Sequence, residues 1–142
     1  MGKITTNEML ASALTVQRQR LNVIASNIAN AQTTRTAEGG PYKRKDIVVV
    51  AEEAKGSFES VLDEMTIARP KVAAVIEDNS EPRKVYQPGH PDADTQGYVA
   101  YPNINIVSTM TDMMSASSAY QASLTALGTS REFARSALDL IK

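Results

Sequence analysis

The sequence contains no cysteine and no tryptophan, and two of its 142 residues are phenylalanine. The absence of cysteine excludes disulfide bonds, thiolate nucleophiles and cysteine-based metal sites. Hydrophobic residues make up 42% of the chain. With so few large aromatic side chains among them, we expect a small independent core. The length corresponds to one domain, or to a small domain with extensions.

An excess of one charge and a long apolar run are also missing. The formal net charge is −1, whereas a nucleic-acid-binding domain has a clear basic excess, so we expect no nucleic-acid partner. No stretch approaches the roughly 20 apolar residues that a membrane span requires. Polar residues at positions 5–8 interrupt any apolar segment after Lys3. A cleavable signal peptide is therefore not expected.

What the sequence does contain is an apolar stripe near each end. In both stripes the residues recur at steps of three and four, which places them on one side of a helix. Sustained over several turns, this spacing is typical of a coiled-coil seam. The expected seam positions are Leu10, Leu14, Leu21, Ile24, Ile28, Met110, Met113, Tyr120, Leu124, Leu127 and Leu138.

The first predicted helix begins at a capping box formed by Thr5 and Glu8 and ends near Asn30. Beside its main stripe it has a second apolar row. That row consists of Met9, Ala13, Val16 and Val23. A helix that is apolar on more than one side requires more than one neighbour.

The second predicted helix follows Pro102, is capped by Asn103 or Asn105, and runs to the C-terminus. Its sequence is rich in Ser and Thr and contains Gly128, so its intrinsic helix propensity is low. Packing must therefore stabilise this helix. We expect the isolated chain to be partly unfolded at both ends.

The middle of the chain has short β-branched runs separated by turn residues. A loop is expected over residues 33–41. Residues 57–68 are ambiguous, because their apolar residues have helical spacing but the stretch is short. Strands are predicted at residues 47–51, 72–76, 84–86 and 98–101.

These elements predict an α+β fold in which long N- and C-terminal helices pair as a coiled coil around a small β-rich middle domain. Residues 1–32 and 103–142 would form one discontinuous helical domain, and residues 33–102 the middle domain. The surplus apolar and small residues on both helices favour an interaction protein, because a single intramolecular core would use one face of each helix.

Three residues near position 90 raise the question of catalysis or metal binding. His90 is the one histidine in the sequence and lies in a Gly-His-Pro turn, where a structural role is favoured over that of a general base. Asp92 and Asp94 imitate the first half of an EF-hand loop, but the twelfth position is Asn103 instead of an acidic ligand. We therefore interpret both aspartates as turn residues.

Two further clusters have some of the residues of a binding site. Gly39 and Gly40 lack the other residues of a phosphate-binding loop. The basic run at Lys43, Arg44 and Lys45 could meet an anionic surface, but a solvated strand edge is the favoured explanation. The sequence thus predicts no catalytic residue, no metal site, no cofactor and no small-molecule substrate.

One further set of residues follows the pattern of a known family. It begins at the end of the first helix, with Ser26, Asn27, Asn30, Thr33 and Thr34. It continues in the next loop and before the second helix, with Gly39, Gly40, Pro41, Tyr42, Pro102, Asn103 and Asn105. Together these residues resemble the signature of the bacterial flagellar axial proteins, which are the rod, hook and hook-associated subunits. The proximal-rod members are the most similar. Residues 51–71 show no strong motif of the family, and a variable loop is expected there.

This resemblance implies a structural subunit with no enzymatic activity. Such proteins leave the cell through the flagellar type III export apparatus without a cleaved signal peptide and assemble in the periplasm. Their terminal helices form the tube of a drive shaft that transmits torque to the hook. The implied partners are copies of the same chain, the partner proximal-rod protein, the rod–ring adaptor, the distal-rod proteins and the membrane ring.

The residues alone leave a second interpretation open. A cytoplasmic coiled-coil adaptor or signalling module would also have two apolar helices, but it would be stable and monodisperse on its own. A rod subunit should instead have disordered ends as a monomer.

Overall fold

The computed structural model describes residues 6–53 and 68–139. Within them the fold is α+β, with a long helix near each end and small antiparallel sheets between, as the sequence predicts. The elements are α1 (Thr6–Ala29), β1 (Lys45–Glu53), β2 (Ala68–Glu77), β3 (Arg83–Tyr86), β4 (Tyr98–Tyr101) and α2 (Ile106–Asp139). The start of α1 agrees with the prediction within about a residue, although Thr5 of the expected capping box lies outside the described residues.

The described strands form two antiparallel pairs, β1 with β2 and β3 with β4. The loop expected across residues 51–71 is wrong at both ends, because residues 51–53 belong to β1 and residues 68–71 to β2. Glu52 explains the extension: its carboxylate lies 2.8 Å from the Arg69 guanidinium and 3.2 Å from the Lys71 ammonium. Cross-strand ion pairs of this kind favour pairing that β-propensity does not reveal. Residues 57–67 of the ambiguous segment lie outside the described residues.

Helix α1 lies between two neighbours. It packs against α2 on one side and against β1 and β2 on the other. Near the start of α1, Asn7 Oδ1 accepts a hydrogen bond from the Ser130 hydroxyl of α2 over 2.9 Å. The buried residues of α2, Thr109 and Ala116, come earlier in that helix. The two helices therefore run antiparallel. Val16 lines a groove with Val72 of β2. It comes nine residues after Asn7, which places it on roughly the opposite side of the helix. The two apolar rows of α1 thus have the two neighbours that the sequence requires.

The core is small, in keeping with the few aromatic residues. Most of the buried side chains belong to the last turns of α1, to β4, or to the first turns of α2. Among the described residues they are Val16, Ile24, Asn27, Ala31, Val99, Pro102, Thr109 and Ala116. By contrast, residues 131–139 at the end of α2 are exposed throughout. Neither described helix is long and apolar enough to cross a lipid bilayer.

Candidate assembly surface

The side of α2 that faces α1 is formed by small and polar residues as much as by apolar ones. Thr109 and Ala116 are buried there. The half-buried positions that continue this side are Tyr120, Ser123, Leu127 and Ser130. Their separations of seven, four, three, four and three residues follow the heptad spacing of packed helices. Small side chains at such positions let two helix backbones approach closely.

The predicted seam does not include Thr109 or Ala116, because a polar and a small residue contribute little to an apolar stripe. A signal for Thr109 exists in its position, four residues after Asn105. Its hydroxyl donates to the Asn105 carbonyl over 2.7 Å. Because the hydroxyl is satisfied within its own helix, burying it leaves no unpaired polar group.

Two of the predicted seam residues of α2, Met110 and Leu124, lie along its flank. Met110 and Leu124 each follow a residue of the α1-facing side by one position, which is about 100° around the helix. Both side chains are 51% exposed in the single chain. Met113 and Leu138 are exposed as well, whereas Tyr120 is half-buried at the border with α1.

The predicted seam residues of α1 are all partly or fully covered. Ile24 is buried, and Leu10, Leu14, Leu21 and Ile28 are half-buried. Tyr120 and Leu127 of α2 are likewise half-buried. Met110, Leu124 and Leu138 remain exposed.

The exposed part of α2 forms an apolar flank, by which we mean Ile106, Val107, Met110, Met114 and Leu124. Val107 and Met114 are the most open, at 75% and 72% exposure. Isolated exposed apolar residues are ordinary, but a row of them at neighbouring helical positions marks an interaction site. Fully burying side chains of this size is worth about 1.5–3 kcal/mol each.

The polar residues near the apolar flank do not oppose burial. The hydroxyls of Thr111, Ser118 and Thr125 each donate to the backbone carbonyl four residues earlier, over 2.9–3.1 Å. Such bonds satisfy the hydroxyls inside the helix. Between residues 106 and 130, Asp112 is the single charged residue in the sequence. This length of helix can thus be covered by a neighbour without stranding many charges.

At the end of α1, side chains of the signature residues form hydrogen bonds that stabilise the exit of the chain from the helix. The Asn30 side-chain amide donates to the Ser26 carbonyl over 2.9 Å, and the Thr33 hydroxyl donates to Asn30 Oδ1 over 3.2 Å. The side chain of Asn27 is buried and reaches the first residue of β1, Lys45.

The loop after α1 is closed by backbone hydrogen bonds between signature residues. The Tyr42 N–H donates to the Thr33 carbonyl over 3.0 Å. Gly39 and Gly40 have φ angles of 90° and 76°, in the left-handed region that glycine adopts readily. The Thr34 hydroxyl donates to Asp92 Oδ2 over 2.8 Å and so connects this loop to the turn before β4. Pro41 lies between the glycine turn and Tyr42.

The second helix is capped by Asn105, which decides between the two predicted candidates. Asn105 Oδ1 accepts from the backbone N–H of Val107 over 3.0 Å and of Ser108 over 3.2 Å, the arrangement of an N-cap. The Asn103 side chain instead donates to the Ser80 hydroxyl over 3.4 Å. Pro102, between β4 and the cap, is buried.

The residues considered for catalysis or metal binding are used in turns. Asp94 Oδ1 accepts from the backbone N–H groups of Tyr98 and Gln96 over 2.9 and 2.8 Å. These hydrogen bonds, that from Tyr98 first, lower the pKa of Asp94. His90 Nδ1 accepts from the Asp92 N–H over 3.1 Å. Across residues 6–53 and 68–139, no three acidic or histidine side chains gather as a metal site requires.

The turn before β4 requires a glycine. Gly97 has a φ of 82°, and a Cβ atom there would lie 2.8 Å from Cε2 of Tyr86. Tyr86 in turn packs edge to face with Tyr98, with ring centroids 5.3 Å apart. This close approach restricts the conformation of the turn in which Asp94 accepts its backbone hydrogen bonds.

The basic run has neighbours typical of a solvated strand edge. Lys43 Nζ donates to Asn79 Oδ1 over 3.0 Å. The Lys45 ammonium lies 3.7 Å from the carboxylate of Glu77 on the paired strand. These are surface contacts, which contribute little to stability.

Two models of known protein families match the parts of the chain that contain the two helices. A family model described as flagella basal body rod protein matches residues 8–35, and one described as flagellar basal body rod FlgEFG protein C-terminal matches residues 95–140. The first match covers most of α1 and the loop after it, and the second covers β4 and α2.

Several curated relatives extend this similarity over nearly the whole chain. The flagellar basal-body rod protein FlgC of Borreliella burgdorferi is 39% identical over 100% of this chain and 99% of its own length. FlgC of Escherichia coli O157:H7 is 41% identical over 91% of this chain and 90% of its own. FlgC of Bacillus subtilis is 38% identical over 93% of each. The chain therefore belongs to the FlgC family of flagellar basal-body rod proteins.

Proposed function

We propose that this chain is a structural subunit of the proximal part of the flagellar rod and that it assembles through the apolar flank of α2. The observation that carries the proposal is the exposure of this row on a helix with one charged residue between positions 106 and 130. A surface that is both apolar and nearly uncharged is stabilised when another subunit covers it.

The pairing of α1 and α2 as a coiled coil belongs to the same proposal. The heptad spacing of the α1-facing side of α2 supports it, as does the antiparallel contact between Asn7 and Ser130. Residues 1–32 and 103–142 would then form one helical domain of the subunit, with residues 33–102 as a β-rich domain. The contacts of α1 with β1 and β2 would join the two domains.

In the assembled rod, helices of neighbouring subunits would pack lengthwise. Each square ångström of apolar surface buried would contribute roughly 25 cal/mol, and the packed helices would transmit torque along the shaft. The proposed neighbours are copies of this chain, the partner proximal-rod protein, the rod–ring adaptor, the distal-rod proteins and the membrane ring. The proposed route is type III export, without a cleaved signal peptide, to the periplasmic rod.

The alternative of a cytoplasmic adaptor is less well supported. It would require the apolar flank to be covered within a small, stable complex. Membership in a family whose relatives are named as rod proteins favours a structural, non-enzymatic role in the basal body instead.

The proposal is tested by L124D in a strain that lacks its own copy of the gene. Because Leu124 is half exposed in the single chain, the aspartate should leave the fold intact, but in the rod it would place an unpaired charge in an apolar contact. We expect at least a tenfold loss of swimming and of completed basal bodies, with normal amounts of exported protein. The matched control L124M keeps an apolar side chain of similar volume and should swim like wild type.

Normal motility of L124D would overturn the proposed role of the flank. Equal defects in L124D and L124M would also contradict it, because the charge would then not be the cause.

A further inference from the structure

The side chain of Asn27 pairs with the backbone of β1 in the way a neighbouring strand would. Its Nδ2 donates to the Lys45 carbonyl over 2.7 Å, and its Oδ1 accepts from the Lys45 N–H over 2.8 Å. In an antiparallel sheet, a hydrogen-bonded pair of residues exchanges the same two bonds. A helical side chain therefore occupies the edge of β1 at its first residue.

A third hydrogen bond strengthens this contact. The Tyr42 hydroxyl donates to the same Asn27 Oδ1 over 3.1 Å and lies 3.1 Å from the Ser26 hydroxyl. The Asn27 side chain is 4% exposed, so water competes little for these bonds. On its other edge, the start of β1 is held by β2, where Lys45 lies opposite Glu77.

The contacts between α1 and the hairpin of β1 and β2 also include a groove lined by Val16 and Val72 together with polar side chains such as Thr15 and Gln19. The apolar part of this contact is non-directional. Paired hydrogen bonds to a single backbone residue define both a position and an angle. Asn27 therefore fixes the start of β1 relative to α1 in both respects.

We infer that Asn27 is the positioning residue that fixes the angle at which the β1–β2 hairpin leaves the helix pair, so that hairpin and helices turn as one body. This inference rests on the proposed function, because a rigid joint matters in a subunit that transmits torque. One residue of the family signature thereby has a defined structural role, because its side chain forms the hydrogen bonds of a neighbouring strand at the edge of β1.

The first test measures amide exchange in the full chain. N27A removes all three hydrogen bonds of the side chain, and N27D removes the donor and places a carboxylate oxygen against the Lys45 carbonyl. We expect the Lys45 amide to exchange at least tenfold faster in both variants, while amides in the middle of β1 stay protected. Y42F removes the hydroxyl that contacts Asn27 and Ser26 but leaves both hydrogen bonds between Asn27 and Lys45. It is the matched control and should leave Lys45 exchange within about twofold of wild type.

The second test measures the joint itself. Because the chain has no cysteine, the pair R20C and A73C, at exposed positions of α1 and β2, provides two unique sites for spin labels. We expect a narrow distance distribution in the otherwise unchanged chain and a clearly broader one when N27A is added. The strain carrying N27A should export normal amounts of protein but swim at least several-fold less.

The inference is overturned if N27A keeps both the slow Lys45 exchange and the narrow distance distribution. It is also overturned if amides throughout α1 and β1 lose protection equally, because Asn27 would then serve general stability. Normal swimming with a broadened distribution would remove the link to torque. L124D should not change Lys45 exchange, so failure of this inference and failure of the proposed function are distinguishable.

Discussion

At the residue scale, two polar side chains of α1 have opposite environments. Asn27 is buried, and three hydrogen bonds satisfy its amide group. Gln17 lies three residues after Leu14 and four before Leu21, on the side of α1 that carries the predicted seam. Its buried Oε1 has no hydrogen-bond partner among the described residues. An unsatisfied buried acceptor lowers stability by about 1–3 kcal/mol, so Gln17 weakens the contacts of α1 where Asn27 strengthens them.

Q17M should therefore stabilise the protein. Methionine has nearly the shape of glutamine without its polar atoms, and we expect the free energy of unfolding to rise by about 1 kcal/mol. Urea denaturation followed by circular dichroism measures the change. Q19M is the control, because Gln19 is exposed and its replacement should stay within about 0.5 kcal/mol. An unchanged or lower stability of Q17M would contradict the expected cost of its buried oxygen.

At the element scale, α2 depends on its ends and its neighbours more than on its own propensity. Its 34 residues include many Ser and Thr, whose hydroxyls bond back to the helix, an arrangement that slightly weakens helices. The N-cap at Asn105 offsets part of this by satisfying two backbone N–H groups. The cap is also adjacent to the buried turns of α2, so its loss should lower the stability of the core.

N105A should lower the free energy of unfolding by about 1 kcal/mol, since the alanine methyl cannot accept from the first turn. Its natural control is N103A, two residues earlier. Asn103 makes one long side-chain hydrogen bond and is exposed, so its replacement should change stability by less than about 0.5 kcal/mol. Denaturant titration of both variants decides the matter. Equal effects, or a larger effect of N103A, would contradict the assignment of the cap.

At the scale of the whole molecule, stability is concentrated at one end of the helix pair. The buried residues lie mainly in the second half of α1, in β4 and in the first turns of α2. Residues 131–139 extend beyond the contact of Ser130 with Asn7, and every one of them is exposed. A helix end without packing is marginal in water, so we expect the far end of α2 to require other subunits for its stability.

Hydrogen exchange should reveal this gradient in the free chain. We expect strong protection for residues 24–29 and 106–117 and little for residues 131–139, because amides exchange through local opening where few contacts hold them. In assembled rods the protection of residues 131–139 should rise at least tenfold. Uniform protection along α2 in the free chain would show a self-sufficient helix pair and would favour the adaptor interpretation.

Local sequence signals were sufficient for much of this architecture. The two helices, the four strands and a cap at Asn103 or Asn105 follow from periodicity, β-branched runs and capping chemistry, all of which act within a few residues of the chain. The second apolar row of α1 correctly indicated a second neighbour. The extension of β1 and β2 past the predicted ends did not follow, because it involves ion pairs of Glu52 with residues far along the sequence.

The sequence by itself determined that this chain has two apolar helices around a small β-rich part, and the signature near Asn27 pointed to the flagellar axial proteins. The tertiary structure alone decided which side of α2 is covered. Thr109 and Ala116 face α1, while Met110 and Leu124 remain open. Periodicity measures how apolar each side of a helix is, but close packing against α1 selects the side whose residues are small enough for the backbones to approach. The larger apolar residues thereby remain exposed in the single chain, where we propose that a neighbouring subunit covers them.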